Sequence, residues 1–247
     1  MIILSNSSKR KENASKALKR IGFDPQDFSE IITSGEVSHR MLRGDTTLKC
    51  SSWPALVDII SSPTRRAFVL GSGDGDEEYC LSSGWTLAPV EEADIIIARG
   101  TFTINDGRNS VISKDKDEML YLQVLEESLS RAAFRKVPML VTNPDKVRPD
   151  KGLPPMPGAI GDSYEKALGG GKAASALVKR IGKPFSEVYE LALGTDGDPS
   201  SAIMVGDALE TDVTGGTHAK VNIKSMNVHL KISNFCYICP KLNNLAL

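Results

Sequence analysis

The amino-acid sequence predicts an α/β protein built on parallel β-strands. Short apolar runs of strand length alternate with longer segments in which apolar residues recur at helical spacing. This alternation favours parallel sheets with helical crossovers. Two apolar runs also end directly in polar loops, where sheets of this class bind their ligands. We expect strands at Ile2 to Leu4, Ile31 to Ile32, Ala67 to Leu70, Ile95 to Ala98, Met139 to Val141 and Ile203 to Val205.

The helices between these strands are predicted from apolar periodicity. Ala14, Leu18 and Ile21 recur at helical spacing after the first strand, and Gly22 provides a C-terminal stop. Proline, glycine and charge at 145–157, and the glycines at 169–171, predict loops that are candidate domain joints. We expect further helices at three sets of apolar positions: Val37 and Leu42; Met119, Leu122, Leu125 and Leu129; and Val188, Leu191 and Leu193.

Composition and charge exclude several classes of function. The chain has 247 residues, with 30 lysines and arginines against 31 aspartates and glutamates, so no basic field is available to bind nucleic acid or an anionic membrane. Its apolar runs are too short to cross a bilayer, and its first residues lack the features of a signal or transit peptide. We therefore expect a cytoplasmic chain without nucleic-acid or membrane partners.

The cysteines do not form a recognisable metal or disulfide framework. The chain has 4 of them, and only Cys236 and Cys239 share a Cys-x-x-Cys spacing. A single such pair supplies half of a zinc site at best, and no matching pair stands nearby. We interpret Cys236 and Cys239 as two ordinary thiols.

Two carboxylates, Asp207 and Asp212, follow the last predicted strand. They flank a loop that leads into a helix, which suits a hard cation such as Mg²⁺ bound directly by one carboxylate and through water by the other. The alternative stays open at this point. Asp212 would then cap the helix, and Asp207 would accept hydrogen bonds from turn amides.

Ser5, Asn6 and Lys183 are candidate phosphate ligands. Ser5 and Asn6 follow the first strand, where the free backbone amides at a helix start suit an anion, although a Ser-Asn-Ser-Ser run is also typical of a simple helix cap. Lys183 lies between Gly182 and Pro184, which fix its backbone at the predicted start of a helix. Taken by itself, Lys183 fits an ordinary surface lysine better than a phosphate ligand.

Taken in order along the chain, four motifs resemble the haloacid dehalogenase (HAD)-like hydrolases, most closely subclass IIA. The motifs are Ser5-Asn6, Asn143-Pro144-Asp145, Gly182-Lys183-Pro184, and Gly206-Asp207 to Thr211-Asp212. The resemblance implies a Rossmann-like core, residues 1–64 and 179–247, into which an α/β cap of the C2 type, residues 65–178, is inserted. It also implies phosphatase activity on a small phosphorylated metabolite.

The resemblance assigns roles residue by residue. Ser5 supplies the phosphate-binding hydroxyl with Asn6 beside it, and Lys183 stabilises the charge of the phosphate. Asp207 binds Mg²⁺ directly, and Asp212 binds it through water. As a further assignment, Asn143 and Asp145 lie on a cap loop that faces the active site.

One family motif has no counterpart in this sequence. A strand ending in Asp-x-Asp-Gly, which supplies the nucleophilic aspartate, stands before the serine loop in the family, whereas Met1 is four residues ahead of Ser5. The triplets at 74–76, 115–117 and 196–198 have the right spacing but fit turns better. We expect a missing central strand, with unpaired strand edges and exposed apolar surface beside it.

The functional hypothesis is that the chain is a Mg²⁺-dependent phosphomonoester hydrolase scaffold that is catalytically impaired in this form. The alternative is a non-catalytic protein of the same fold that binds a phosphorylated ligand or a partner. An unrelated dinucleotide binder is disfavoured, because no Gly-x-Gly-x-x-Gly follows a strand and opens a helix. From Lys224 to Leu247 the sequence shows no clear pattern.

Overall fold

A computed structural model describes residues 1–48, 52–73, 75–108, 110–148, 152–194 and 197–225, together with the backbone of 236–240. The chain divides into two compact units. Unit 1 is Met1–Val37 with Ile181–Leu247, and unit 2 is Ser38–Arg180, inserted in the chain between the two segments of unit 1.

Strands and helices alternate along the described residues, as the apolar pattern predicts. The strands are β1 (Ile2–Ser5), β2 (Glu30–Thr33), β3 (Arg66–Gly71), β4 (Thr86–Leu87), β5 (Ile95–Ala98), β6 (Thr103–Asn105), β7 (Ile112–Ser113), β8 (Met139–Val141), β9 (Val178–Arg180), β10 (Ala202–Gly206), β11 (Asn222–Ser225) and β12 (Cys236–Pro240). The α-helices are α1 (Lys11–Arg20), α2 (Ser34–Leu42), α3 (Pro54–Ile60), α4 (Asp76–Ser82), α5 (Glu118–Arg135), α6 (Pro157–Ala167), α7 (Gly171–Leu177), α8 (Ser186–Leu193) and α9 (Thr214–His218). A helical turn at Leu209–Val213 precedes α9. All six predicted strands are confirmed.

Unit 1 is built on a sheet in the order β11-β10-β12-β1-β2. β1 runs parallel to β2, and β10 runs parallel to β11. α1 covers this sheet through Ala14 and Leu18, which form one buried cluster with Ile3, Phe28 and Ile31. The predicted first strand and helix therefore pack as one unit, because both present apolar residues at the spacing of their own secondary structure.

β12 occupies the position between β1 and β10. It is antiparallel to both, with Leu4 opposite Cys236 and Val205 opposite Tyr237. The expectation that a missing central strand leaves these edges unpaired is therefore wrong, because the segment Cys236–Pro240 pairs with both strands. The side chains of Cys236 and Cys239 lie outside the described part of the structure.

Unit 2 has a sheet of its own in the order β7-β6-β3-β5-β8-β9, with β4 paired to β3. β3, β4, β5, β8 and β9 are parallel to one another, whereas β6 pairs antiparallel with β3 on one side and with β7 on the other. The core combines strand residues such as Ile96 and Met139 with Leu129 of α5 and Tyr164 of α6. Strand runs that are apolar on both faces, such as Ile95–Ala98, are typical of parallel strands buried in this way.

The division into units differs from the predicted one at its first joint. We expected the insertion to begin at residue 65, whereas unit 2 begins at Ser38. Two tryptophans explain the difference: the indole of Trp85 donates to the carbonyl of Leu42 at 2.9 Å, and that of Trp53 donates to Ala176 at 2.9 Å. These bonds tie the stretch before residue 65 to unit 2. The assignment of core and cap remains a prediction.

The three Asp-x-Asp triplets contain turn and cap residues wherever they are described. Asp117 accepts from the amide of Leu120 at the start of α5, and Asp198 accepts from Ser200. Asp76 accepts from Gly73 and forms a buried ion pair with Arg99. Asp74 and Asp196 lie outside the described residues. Among the described helices, none has both the length and the apolar composition needed to cross a bilayer.

Candidate functional site

The candidate site lies at the carboxyl ends of β1 and β10 in unit 1. β1 ends at Ser5 and is followed by Asn6, and β10 ends at Gly206 and is followed by Asp207. These two strands run in the same direction, since both are antiparallel to β12. Polar loops at the carboxyl edge of such a sheet are where ligands bind.

Lys183 is buried at this edge. Its side chain is 4% exposed, and its Nζ lies 2.6 Å from Oδ1 of Asp212. The amide of Phe185 donates to the carbonyl of Gly182 at 2.8 Å, and Gly182 has a φ of 131°, a conformation that favours glycine. α8 begins at Ser186, after this turn. The alternative of a solvated surface lysine is therefore wrong.

Asp212 holds the loop after β10 in place. Its Oδ1 accepts from Lys183, and its Oδ2 accepts from the amides of Asp207 at 3.2 Å and Ala208 at 3.1 Å. The carboxylate approaches so closely that a Cβ on Gly206 would lie 2.6 Å from it. The N-caps of the helical turn Leu209–Val213 and of α9 are Ala208 and Val213, so Asp212 caps neither of them. The turn amides donate to Asp212 rather than to Asp207, so neither part of the alternative is observed.

Asp207 is exposed, unlike Asp212, which is 2% exposed. The described residues contain no group of three or more His, Cys, Asp or Glu side chains placed to hold a metal ion. Mg²⁺ nevertheless binds proteins through one or two carboxylates and keeps several of its waters. Asp207 and Asp212 fit that mode of binding. Asp207 is exposed and would bind the ion directly, whereas the oxygens of Asp212 retain lone pairs that would accept from a metal-bound water.

Tyr189 of α8 supports the same loop and is not found by the sequence analysis. Its hydroxyl donates to the carbonyl of Thr211 at 3.3 Å, and its side chain is almost wholly buried. A Cβ on Gly215 would lie only 2.1 Å from this hydroxyl. The paired glycines at 215 and 216 are the sequence signal for this close approach, because a larger residue would displace the ring.

Ser5 and Asn6 are both buried at the end of β1, each with a relative exposure of 3%. The Ser5 hydroxyl accepts from the amide of Ser7 at 3.2 Å, so its own proton remains available for an acceptor such as a phosphate oxygen. Asn6 makes two hydrogen bonds with the backbone of Lys183. The sequence-predicted residues Ser5, Asn6, Lys183, Asp207 and Asp212 are therefore brought together within unit 1.

Asn143 and Asp145 belong to unit 2. They follow β8, and Oδ1 of Asn143 accepts from the amide of Asp145 at 2.9 Å, which closes a tight turn. The start of α6 packs on this turn, since a Cβ on Gly158 would lie 2.1 Å from the carbonyl oxygen of Pro144. Asn143 is buried and Asp145 is partly exposed. Their role as a loop facing the active site remains a prediction.

Comparison with known proteins confirms the resemblance to HAD-like hydrolases. The sequence model of the HAD-hydrolase-like family matches residues 180–226, the segment that contains Lys183, Asp207 and Asp212. Glycerol-3-phosphate phosphatase from Gallus gallus is 26% identical over 218 residues. That match covers 87% of this chain and 64% of the relative, so the chain spans less than two thirds of the relative's length.

Solved structures share the fold. A HAD-like hydrolase from Brucella suis 1330 has a TM-score of 0.63 at 21% identity, covering 93% of this chain and 76% of that one. A p-nitrophenyl phosphatase from Archaeoglobus fulgidus has a TM-score of 0.55 at 21% identity, covering 88% of this chain and 69% of that one. A possible sugar phosphatase from Cytophaga hutchinsonii has a TM-score of 0.60 at 19% identity, covering 89% of this chain and 70% of that one.

Proposed function

We propose that this chain, which has the fold of HAD-like hydrolases, provides the phosphate- and Mg²⁺-binding site of a phosphomonoester hydrolase. The observation that carries the proposal is the buried contact of 2.6 Å between Nζ of Lys183 and Oδ1 of Asp212. This contact lies at the same edge of the sheet as Ser5, the last residue of β1. A lysine fixed in this way supplies a positive charge whose position needs no reorganisation when an anion arrives.

The phosphate group would be held from two sides. The Ser5 hydroxyl would donate to one phosphate oxygen, and Lys183, which lies ahead of α8 and contacts Asp212, would face the phosphate charge from the other side. Ser5 is buried and directly precedes Asn6, whose side chain bonds the backbone of Lys183, so the chain segments that carry the hydroxyl and the ammonium are held together. Both groups suit a dianionic phosphate, because each donates a hydrogen bond and Lys183 also offsets charge.

Asp207 and Asp212 would hold Mg²⁺, the first directly and the second through water. The metal, when bound, supplies charge stabilisation to the phosphate oxygens. Asp212 also fixes the amides of Asp207 and Ala208, which keeps the Asp207 carboxylate at the strand end. A direct ligand needs this exposure, since a fully buried carboxylate has no room for the remaining waters of the ion.

We further propose that residues 1–247 bind phosphate but hydrolyse phosphomonoesters poorly. A nucleophile at this site requires a carboxylate at the carboxyl edge between β1 and β10. That position is taken by β12, which is antiparallel to both strands, so its beginning rather than its end lies at this edge. The β12 sequence, Cys-Tyr-Ile-Cys-Pro, contains no carboxylate. An aspartate at that place would attack phosphorus and form an aspartyl-phosphate, which water would hydrolyse.

The proposed substrate is a small phosphorylated metabolite. This rests on the relatives' names, which include a glycerol-3-phosphate phosphatase and p-nitrophenyl phosphatases. Asn143 and Asp145 are proposed to contribute to substrate selection from a loop of unit 2. Their polar side chains follow β8 directly, where α/β sheets present ligand-binding groups.

Calorimetric titration with inorganic phosphate in the presence of Mg²⁺ tests the binding site. We expect Ser5→Ala to weaken phosphate binding about tenfold, the effect of losing one hydrogen bond to a charged group. Ser29→Ala is the matched control, because its hydroxyl donates to the carbonyl of Met1 at the opposite end of β1. Absence of phosphate binding by the wild-type chain, or equal effects of the two substitutions, would contradict the proposal.

A further inference from the structure

We infer that Asn6 is a positioning residue, which acts on a bound phosphate by fixing the backbone of Lys183. This inference rests on the proposed function and differs from the sequence-based prediction that Asn6 binds phosphate itself. Its basis is a pair of buried hydrogen bonds between residues 177 positions apart in the sequence.

Both ends of the Asn6 amide face the backbone of Lys183. Oδ1 accepts from the Lys183 amide at 2.6 Å, and Nδ2 donates to the Lys183 carbonyl at 3.0 Å. A carboxamide is the side chain that matches a peptide group in this way, because it has one acceptor and one donor side by side. Serine or aspartate at this position would satisfy only part of the pair.

The two bonds fix one end of a longer chain of contacts. Asn6 holds the Lys183 backbone, Nζ of Lys183 contacts Oδ1 of Asp212, and Oδ2 of Asp212 holds the amides after β10. These contacts link the ends of β1 and β10, two strands that are separated in the sheet by β12. The side chain of lysine has several freely rotating bonds. The ammonium group of Lys183 therefore has a fixed position only if Asn6 holds its backbone and Asp212 holds its Nζ.

Phosphate affinity should therefore depend on Asn6 only through Lys183. A double-mutant cycle on the affinity for inorganic phosphate tests this dependence. We expect Asn6→Ala to weaken phosphate binding about tenfold in the wild-type background and less than twofold when Lys183 is already Gln. If Asn6 instead bound the phosphate directly, the tenfold effect would persist in the Lys183→Gln background and overturn the inference.

Hydrogen exchange at the Lys183 amide gives a second readout that needs no ligand. We expect this amide to exchange at least about tenfold faster in Asn6→Ala, since its acceptor is lost. Asn222→Ala is the matched control: Nδ2 of Asn222 also bonds backbone carbonyls, those of Ser200 and Ala202, at the amino end of β10. It should leave both Lys183 exchange and phosphate affinity unchanged.

The two readouts separate the failure of this inference from the failure of the proposed function. A wild-type chain that binds no phosphate would contradict the proposed function, and the exchange measurement would then decide the role of Asn6 alone. Unchanged protection of the Lys183 amide in Asn6→Ala would overturn the inference in either case. Asn6→Asp adds a check, because it keeps the acceptor for the Lys183 amide and should restore part of its protection.

Discussion

Nζ of Lys183 lies 2.6 Å from Oδ1 of Asp212, and the two side chains are only 4% and 3% exposed. The attraction between these charges is little screened by solvent, but each would be left uncompensated without the other. The pair therefore fixes the site and makes its stability depend on both members.

Breaking this pair should destabilise unit 1. We expect Lys183→Met to lower the free energy of unfolding by about 3 kcal/mol, because Asp212 stays buried without its cation. Hydrogen exchange of the β1 and β10 amides measures the effect in unit 1. Tryptophan fluorescence serves as the control, since Trp53 and Trp85 both lie in unit 2.

The effects of changing the two partners should not add. With Lys183→Met already present, Asp212→Asn removes the unpaired charge, so the double variant should lose less stability than the sum of the two single losses. Additive losses would show that the two side chains do not interact, contrary to the observed contact.

Binding of Mg²⁺ should depend more on Asp207 than on Asp212. A direct carboxylate contact contributes more affinity than one relayed through water. Since Asp207 is exposed, Asp207→Asn should weaken Mg²⁺ binding while leaving stability nearly unchanged. Calorimetric titration with Mg²⁺ compares the variants, with Glu210→Gln, exposed in the helical turn Leu209–Val213 after Asp207, as the control. Equal losses of Mg²⁺ affinity for Asp207→Asn and Asp212→Asn would contradict the assignment.

The stability of unit 2 should depend on pH through Asp45. Hydrogen bonds from Thr47, assisted by Arg40, lower the pKa of Asp45 from 3.8 to about 2. The stabilisation is therefore fully present above pH 3.8 and is lost as the pH falls through 2. We expect Asp45→Asn to lower stability by about 1 kcal/mol at pH 6, allowing for partial solvent screening, and by much less near pH 2.

Urea unfolding followed by tryptophan fluorescence measures this difference. Exposed Asp58, on α3 of the same unit, provides the control substitution Asp58→Asn. A difference between wild type and Asp45→Asn that stayed constant from pH 6 to pH 2 would show that the carboxylate of Asp45 is not the origin of the effect.

Local patterns were enough to predict most of the structure that carries the site. Apolar spacing and the order of the motifs were enough to find the strands at Ile2 to Leu4 and Ile203 to Val205, together with the polar residues that follow each strand. The partners of Lys183 could not be predicted in this way, because they are Asn6 and Asp212, which lie far from Lys183 in the chain. Tyr189 was missed for the same reason: its hydroxyl bond to Thr211 is a long-range contact.

The joint at Ser38 and the strand β12 also depend on long-range pairing. The indole bonds of Trp53 and Trp85 decide where unit 2 begins, and neither leaves a periodic signal in the sequence. β12 is a short segment in a region without a clear pattern, and its position is determined by the edges of β1 and β10. Register and partner choice are set by the assembled sheet rather than by local sequence.

The most direct measurement of the central claim is metal-dependent hydrolysis of p-nitrophenyl phosphate and glycerol 3-phosphate by two forms of the chain. One form is residues 1–247, and the other carries ahead of Met1 a strand ending in Asp-x-Asp-Gly, which would have to take the place of β12 between β1 and β10, with an Asn-x-Asn-Gly version as control. We predict turnover only for the Asp-x-Asp form, since loss of a nucleophile lowers kcat by about 10⁴ or more in covalent enzymes. Robust turnover by residues 1–247 that is abolished by Asp207→Asn would contradict the account.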